Sequence, residues 1–172
     1  MRRYKKNTNG FTLVEMIVYV AFISVFSVVI MGVFVTTLKV FADFRLTRDI
    51  NESAIAVMER LVREIRIAYE VDQVESTLGT NPGILHLKTT TVTGTSTTVE
   101  FYATSSRVRM EEGGVDAGYL SSQNVNVDLL IFDLITNTNT EAVTIRMQLS
   151  ATRGSVTKTK SFYSTAILRG SY

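Results

Sequence analysis

The chain contains no cysteine and no tryptophan, and only one proline and one histidine, among its 172 residues. Each scarcity removes a class of protein. Without cysteine there is no disulfide framework, no thiol nucleophile and no cysteine-ligated zinc. A single histidine, His86, has no motif around it that would supply the partners of an acid–base pair or a catalytic triad. No phosphate loop, dinucleotide glycine pattern, His-Glu-x-x-His or Gly-x-Ser-x-Gly sequence occurs. The expectation is a protein that is not an enzyme and carries no cofactor or metal. Glu111-Glu112-Gly113-Gly114-Val115-Asp116 offers oxygen ligands, but its spacing does not match a helix–loop–helix calcium site, and a polar turn accounts for it.

Charge is missing where most chains would have it. From Phe11 to Leu38 run 28 residues in which Glu15 is the only charged side chain. As a helix this run would extend about 42 Å, against roughly 30 Å for a hydrocarbon core. A secretory signal has an apolar region of only about 7–15 residues, too short to explain it. The first ten residues contain Arg2, Arg3, Lys5 and Lys6 and no acid, a flank that would stay cytoplasmic. Glu15 is the anomaly. A charged side chain held mid-membrane costs roughly 2.5–3.5 kcal/mol and normally persists with a partner. Thr12-Leu13-Val14-Glu15 also fits a capping box, which would give Glu15 a local helix-start role. A plain membrane anchor explains the helix and leaves the hexapeptide Gly10-Phe11-Thr12-Leu13-Val14-Glu15 to chance.

Basic leader, hexapeptide and long apolar helix together, in that order, resemble the prepilin motif of type IV pilins and type II secretion pseudopilins. The resemblance implies cleavage between Gly10 and Phe11 by a prepilin peptidase, with methylation of the new Phe11 amine. It implies that Glu15 is the assembly residue, pairing with the Phe11 amine of an adjacent subunit. The implied partners are other pilin or pseudopilin subunits, the prepilin peptidase/methylase and the membrane. The implied location is the cytoplasmic membrane first and an extracytoplasmic filament afterwards. A looser match, Met58-Glu59-Arg60-Leu61-Val62-Arg63-Glu64-Ile65-Arg66, is similar to the segment after the hydrophobic helix in minor pilins. Two departures stand out. Gly32 takes the place where many major pilins have a helix-breaking proline, and the C-terminal disulfide of many Gram-negative pilins is impossible here.

The formal charge of +2 overstates basicity, because four of the 18 basic residues lie in the leader. Without it, fourteen Lys and Arg face sixteen Asp and Glu, a side-chain charge of −2. That balance disfavours nucleic acid as a partner, although Arg107 and Arg109 could form a local patch. A recognition role at a filament tip, toward DNA, a surface or secretion cargo, is the alternative function.

Beyond Lys39 the helical period continues. Leu46, Ile50, Ala54, Val57, Leu61, Ile65 and Ala68 recur at steps of three and four and predict an apolar stripe. Gly79 to Gly83, with Pro82, predicts a turn. Period-two alternation then predicts strands around Leu85–Lys88, Val99–Thr104, Val143–Ser150 and Lys158–Leu168, with hairpin tips at Gly94 and at Gly113-Gly114. Val125 to Leu134 is apolar on both faces and predicts a central, doubly covered strand. His86 falls on the solvent side of its strand. The segments expected are a leader over 1–10, an apolar half-helix over 11–38, an amphipathic half-helix over 39–70 and a head over 71–172. The fold class is α+β, a long helical spine packed on one antiparallel β-sheet, resembling pilin architecture.

Overall fold

A computed structural model describes residues 10–91, 93–137 and 140–169. The leader cations Arg2, Arg3, Lys5 and Lys6 lie outside the described residues. The chain divides into two units, Met1–Phe41 and Ala42–Tyr172. A single helix, α1, runs Leu13–Ile67. In the first unit it contains an 18-residue window of mean hydropathy 2.6, none of it buried, so it is long and apolar enough to cross a membrane. Three polar side chains along it bond back to the helix: Ser24 donates to the Val20 carbonyl at 2.7 Å, and Thr36 and Thr37 to the carbonyls four residues back. A backbone that meets its own hydrogen-bonding needs is what a bilayer demands.

In the second unit the expected stripe becomes the core. Leu46, Ile50, Ala54, Val57, Leu61, Ile65 and Ala68 are all at most 3% exposed. The helix stops where its backbone is claimed by a sheet. Ala68 N–H still donates to the Glu64 carbonyl, but Tyr69 N–H donates to the Lys88 carbonyl. Eight strands follow: β1 Glu70–Val71, β2 Ile84–Thr90, β3 Ser96–Thr104, β4 Arg107–Glu112, β5 Val115–Tyr119, β6 Asn126–Asn137, β7 Thr140–Arg153 and β8 Val156–Ile167. All pairings are antiparallel.

The strands form two sheets, β1-β2-β3-β4-β5 and β6-β7-β8, which corrects the expectation of one. Their inner faces share one core with the helix stripe, including Leu85, Leu87, Val99, Phe101, Phe132, Ile145, Met147 and Leu149. The fold is α+β, a helix packed on antiparallel sheets. The strand expected to be central, β6, is instead an edge of the smaller sheet, with β7 in the middle. Its apolar residues on both faces have two sources. A register shift between Val127 and Leu129 moves the inward positions to Leu130 and Phe132. The loop between β1 and β2 then takes the free edge of β6: Gly79 and Gly83 donate to the Phe132 and Leu130 carbonyls, each at 2.8 Å, and Asn81 Oδ1 accepts from Leu130 N–H. A loop replaces a neighbouring strand and covers an edge that would otherwise be sticky.

The hairpin tips expected at Gly94 and Gly113-Gly114 are present, with φ of +82°, +59° and +78°. These left-handed values suit glycine. Thr89 is buried at 6% because it continues the inward series Leu85, Leu87.

Candidate functional site at the start of the helix

Gly10, Phe11 and Thr12 precede the first helical residue. Thr12 acts as the N-cap: its hydroxyl accepts from Glu15 N–H at 3.3 Å, and its carbonyl accepts from Met16 N–H at 3.1 Å. This is one half of the capping box. The other half would need Glu15 to reach back to Thr12, but its Oε1 accepts from the Tyr19 hydroxyl, at 3.4 Å and one turn further on. Tyr19 also meets the Phe11 ring edge-on, with centroids 6.0 Å apart and planes at 77°. One side chain therefore touches both the candidate assembly carboxylate and the candidate N-terminal residue. Tyr19 carries no motif of its own, and its i,i+4 spacing from Glu15 is the one sequence signal that marks it.

Phe11 is 69% exposed and Gly10 is exposed as well. A Cβ added at Gly10 would meet nothing within 4 Å. The fold gives no steric reason for glycine there. Glu15 is exposed, and no cation pairs with it among the described residues.

The outer face of the five-stranded sheet holds the other polar cluster. Cross-strand register aligns Ile84, Tyr102, Arg109 and Tyr119 in one row, beside His86, Glu100, Glu111 and Asp116. Arg109 forms a two-pronged pair with Asp116, which also accepts from Gly118 N–H at 2.9 Å. The guanidinium bond and then the backbone amide hold Asp116 well below the usual carboxylate range, at about 2, and the same pair pushes Arg109 up. Arg107 donates to the Ser121 carbonyl and stacks on Tyr119, 4.0 Å from the ring centroid. The two arginines considered as a basic patch are thus engaged by their own fold. Glu111 accepts from the Tyr102 hydroxyl at 2.6 Å, and His86 Nε2 lies 3.4 Å from Glu100. Among the described residues, no group of three or more His, Cys, Asp or Glu is arranged to hold a metal ion. This face is a set of internal pairs with no open coordination point.

Among the described residues, the head of the apolar helix thus carries an exposed Gly10–Phe11 peptide and a carboxylate with no cation paired to it, and the polar surface of the five-stranded sheet is internally paired. Comparison with family models, with curated proteins and with solved structures found no match.

Proposed function

We propose that this chain is a pilin-like subunit of a type IV pilus or secretion pseudopilus filament. It is made as a precursor, cut between Gly10 and Phe11, and held in the membrane by the apolar half of α1. It is assembled through Glu15, with a neighbouring subunit's Phe11 amine as counter-ion. The observation that carries this reading is Glu15 itself. It is a carboxylate in an apolar run whose only side-chain hydrogen bond among the described residues comes from a tyrosine hydroxyl. A neutral hydroxyl does not neutralise it, and an α-amino group, titrating near roughly 7.7–8.0, is largely protonated at neutral pH and would. The steric freedom around Gly10 supports the same reading, since a cleavage enzyme supplies the reason for glycine that the fold does not.

The test is Glu15→Val in cells that contain a prepilin peptidase and lack the wild-type copy. The processed wild-type chain should begin at Phe11 with a methylated amine by mass spectrometry. The variant should keep leader removal and its membrane level, because insertion becomes easier. Its share of sheared filaments should fall by about two to four orders of magnitude, since removing one member of a buried ion pair costs about 3–5 kcal/mol. Normal incorporation would overturn the reading and leave a simple anchor with a helix cap.

A further inference from the structure

The charges of the second unit are not evenly spread. Its first two helical turns (42–49) and the β7–β8 hairpin end (152–160) hold Arg45, Arg48, Arg153, Lys158 and Lys160 against Asp43 and Asp49. Five cations against two anions give +3. The remainder of the unit has eight basic against thirteen acidic side chains, or −5. The two basic segments lie together in space: Lys158 Nζ sits 2.7 Å from Asp43, Lys160 Nζ lies 3.1 Å from Asn51 Oδ1, and Arg153 lines a small cleft with Leu46 and Asp49. Arg48 is held by Glu52, one turn beyond this end, whose charge brings the local sum to +2, and Lys158 is held by Asp43. Arg45 and Arg153 are exposed and have no ion pair among the described residues. Phe44, 67% exposed, stands beside Arg45.

Position along the chain gives this end its meaning. Ala42 follows Leu38, the end of the apolar run, by four residues. Even a fully extended tether keeps the first turn of the second unit within about 14 Å of that point. A bilayer carrying the apolar run therefore presents its headgroups to this basic end, within about one or two Debye lengths at ordinary salt. We propose that the Arg45/Arg153 end of the second unit docks on an anionic lipid surface and holds the acidic remainder of the unit away from it. The unit behaves as an electric dipole, attracted at one end and repelled at the other, so lipid charge sets its orientation while it waits in the membrane. The inference rests on the membrane-anchored part of the proposed function and does not require a filament.

The chain's lack of cysteine makes the test clean. Ser155→Cys, at the exposed hairpin tip, introduces the only thiol, which takes a bimane fluorophore. The full chain is placed in nanodiscs containing a nitroxide lipid labelled at the headgroup. Quenching should be roughly two-fold greater in phosphatidylglycerol discs than in phosphatidylcholine discs, and the difference should vanish at about 1 M salt. Arg45→Gln with Arg153→Gln should reduce it to the neutral-lipid level. Arg63→Gln with Arg169→Gln removes the same charge at the other end of the unit and should leave quenching unchanged. Circular dichroism melts of both pairs confirm folding. Quenching that ignores lipid charge, or that both pairs lower equally, overturns the docking. Co-elution with discs at high salt reports the anchor separately: a chain that elutes free overturns the anchor and the docking together.

Discussion

Glu15 and Asp116 are both exposed carboxylates, yet their surroundings assign them opposite fates. Glu15 meets only a tyrosine hydroxyl among the described residues, so its charge is available to another molecule. Asp116 is bound by Arg109 and by the Gly118 amide, so its charge is already spent on its own fold. The pH consequence follows from the direction of its shift. Asp116 ionises at about 2 in the folded chain, below its usual range, so its contribution to stability is complete above roughly pH 4 and fades as pH falls toward 2. Asp116→Asn should therefore lower the melting temperature at neutral pH, and the gap to wild type should close on acidification. Thermal melts of both chains from neutral to strongly acidic pH check this. The gap should be modest, because the pair is solvent-screened.

At the scale of elements, the loop between β1 and β2 decides where the smaller sheet ends. Gly83 packs directly against β6, with its N–H 2.8 Å from the Leu130 carbonyl oxygen. A Cβ there would stand 3.1 Å from the Leu130 carbonyl oxygen, 3.1 Å from a Phe132 ring carbon and 3.3 Å from the Thr80 carbonyl oxygen. Two of these three atoms are backbone and one belongs to a buried ring, so none can swing aside. Gly83→Ala should destabilise the second unit by about 1–3 kcal/mol, the usual range for overpacking, as measured by urea denaturation. Gly94→Ala, in open space but at φ +82°, would strain only its own turn and serves as a comparison. The strands legible in sequence were those with one wet and one dry face, such as β7, whose alternation from Val143 to Leu149 matches its burial residue by residue. Three features were not legible. β1 has two residues and no period to read. Every residue of β5 but Gly118 is exposed, so no apolar pattern marks it. The edge position of β6 depends on a loop some fifty residues earlier in the chain, which no local pattern reports.

For the whole molecule, the change of character near Leu38 predicts two separable behaviours. A fragment beginning at Lys39 should be soluble and folded, with a mixed helix and strand spectrum by circular dichroism. All the buried hydrophobic residues, from Leu46 to Leu168, fall within it, while the large apolar side chains from Phe11 to Leu38 are exposed. The full chain should need detergent or lipid. An unfolded or wholly helical fragment would contradict the shared core of stripe and sheets.

What the sequence determined alone were the features written in local periods and local chemistry: the long apolar run, the cap at Thr12, the stripe from Leu46 to Ala68 and the alternating strands. Each depends on side-chain spacing of about 3.6 or 2 residues and can be read without knowing any distant neighbour. The candidate site residues Gly10, Phe11 and Glu15 were picked out by the resemblance of six consecutive positions to a prepilin motif. Tertiary structure decided what required partners far apart in sequence. It divided the strands into two sheets, gave the edge of β6 to a loop, and paired Lys158 with Asp43. It also brought the β7–β8 hairpin beside the first turns of the second unit. Contacts of that kind depend on which surfaces meet after the chain has folded back on itself, and spacing along the sequence carries no record of that.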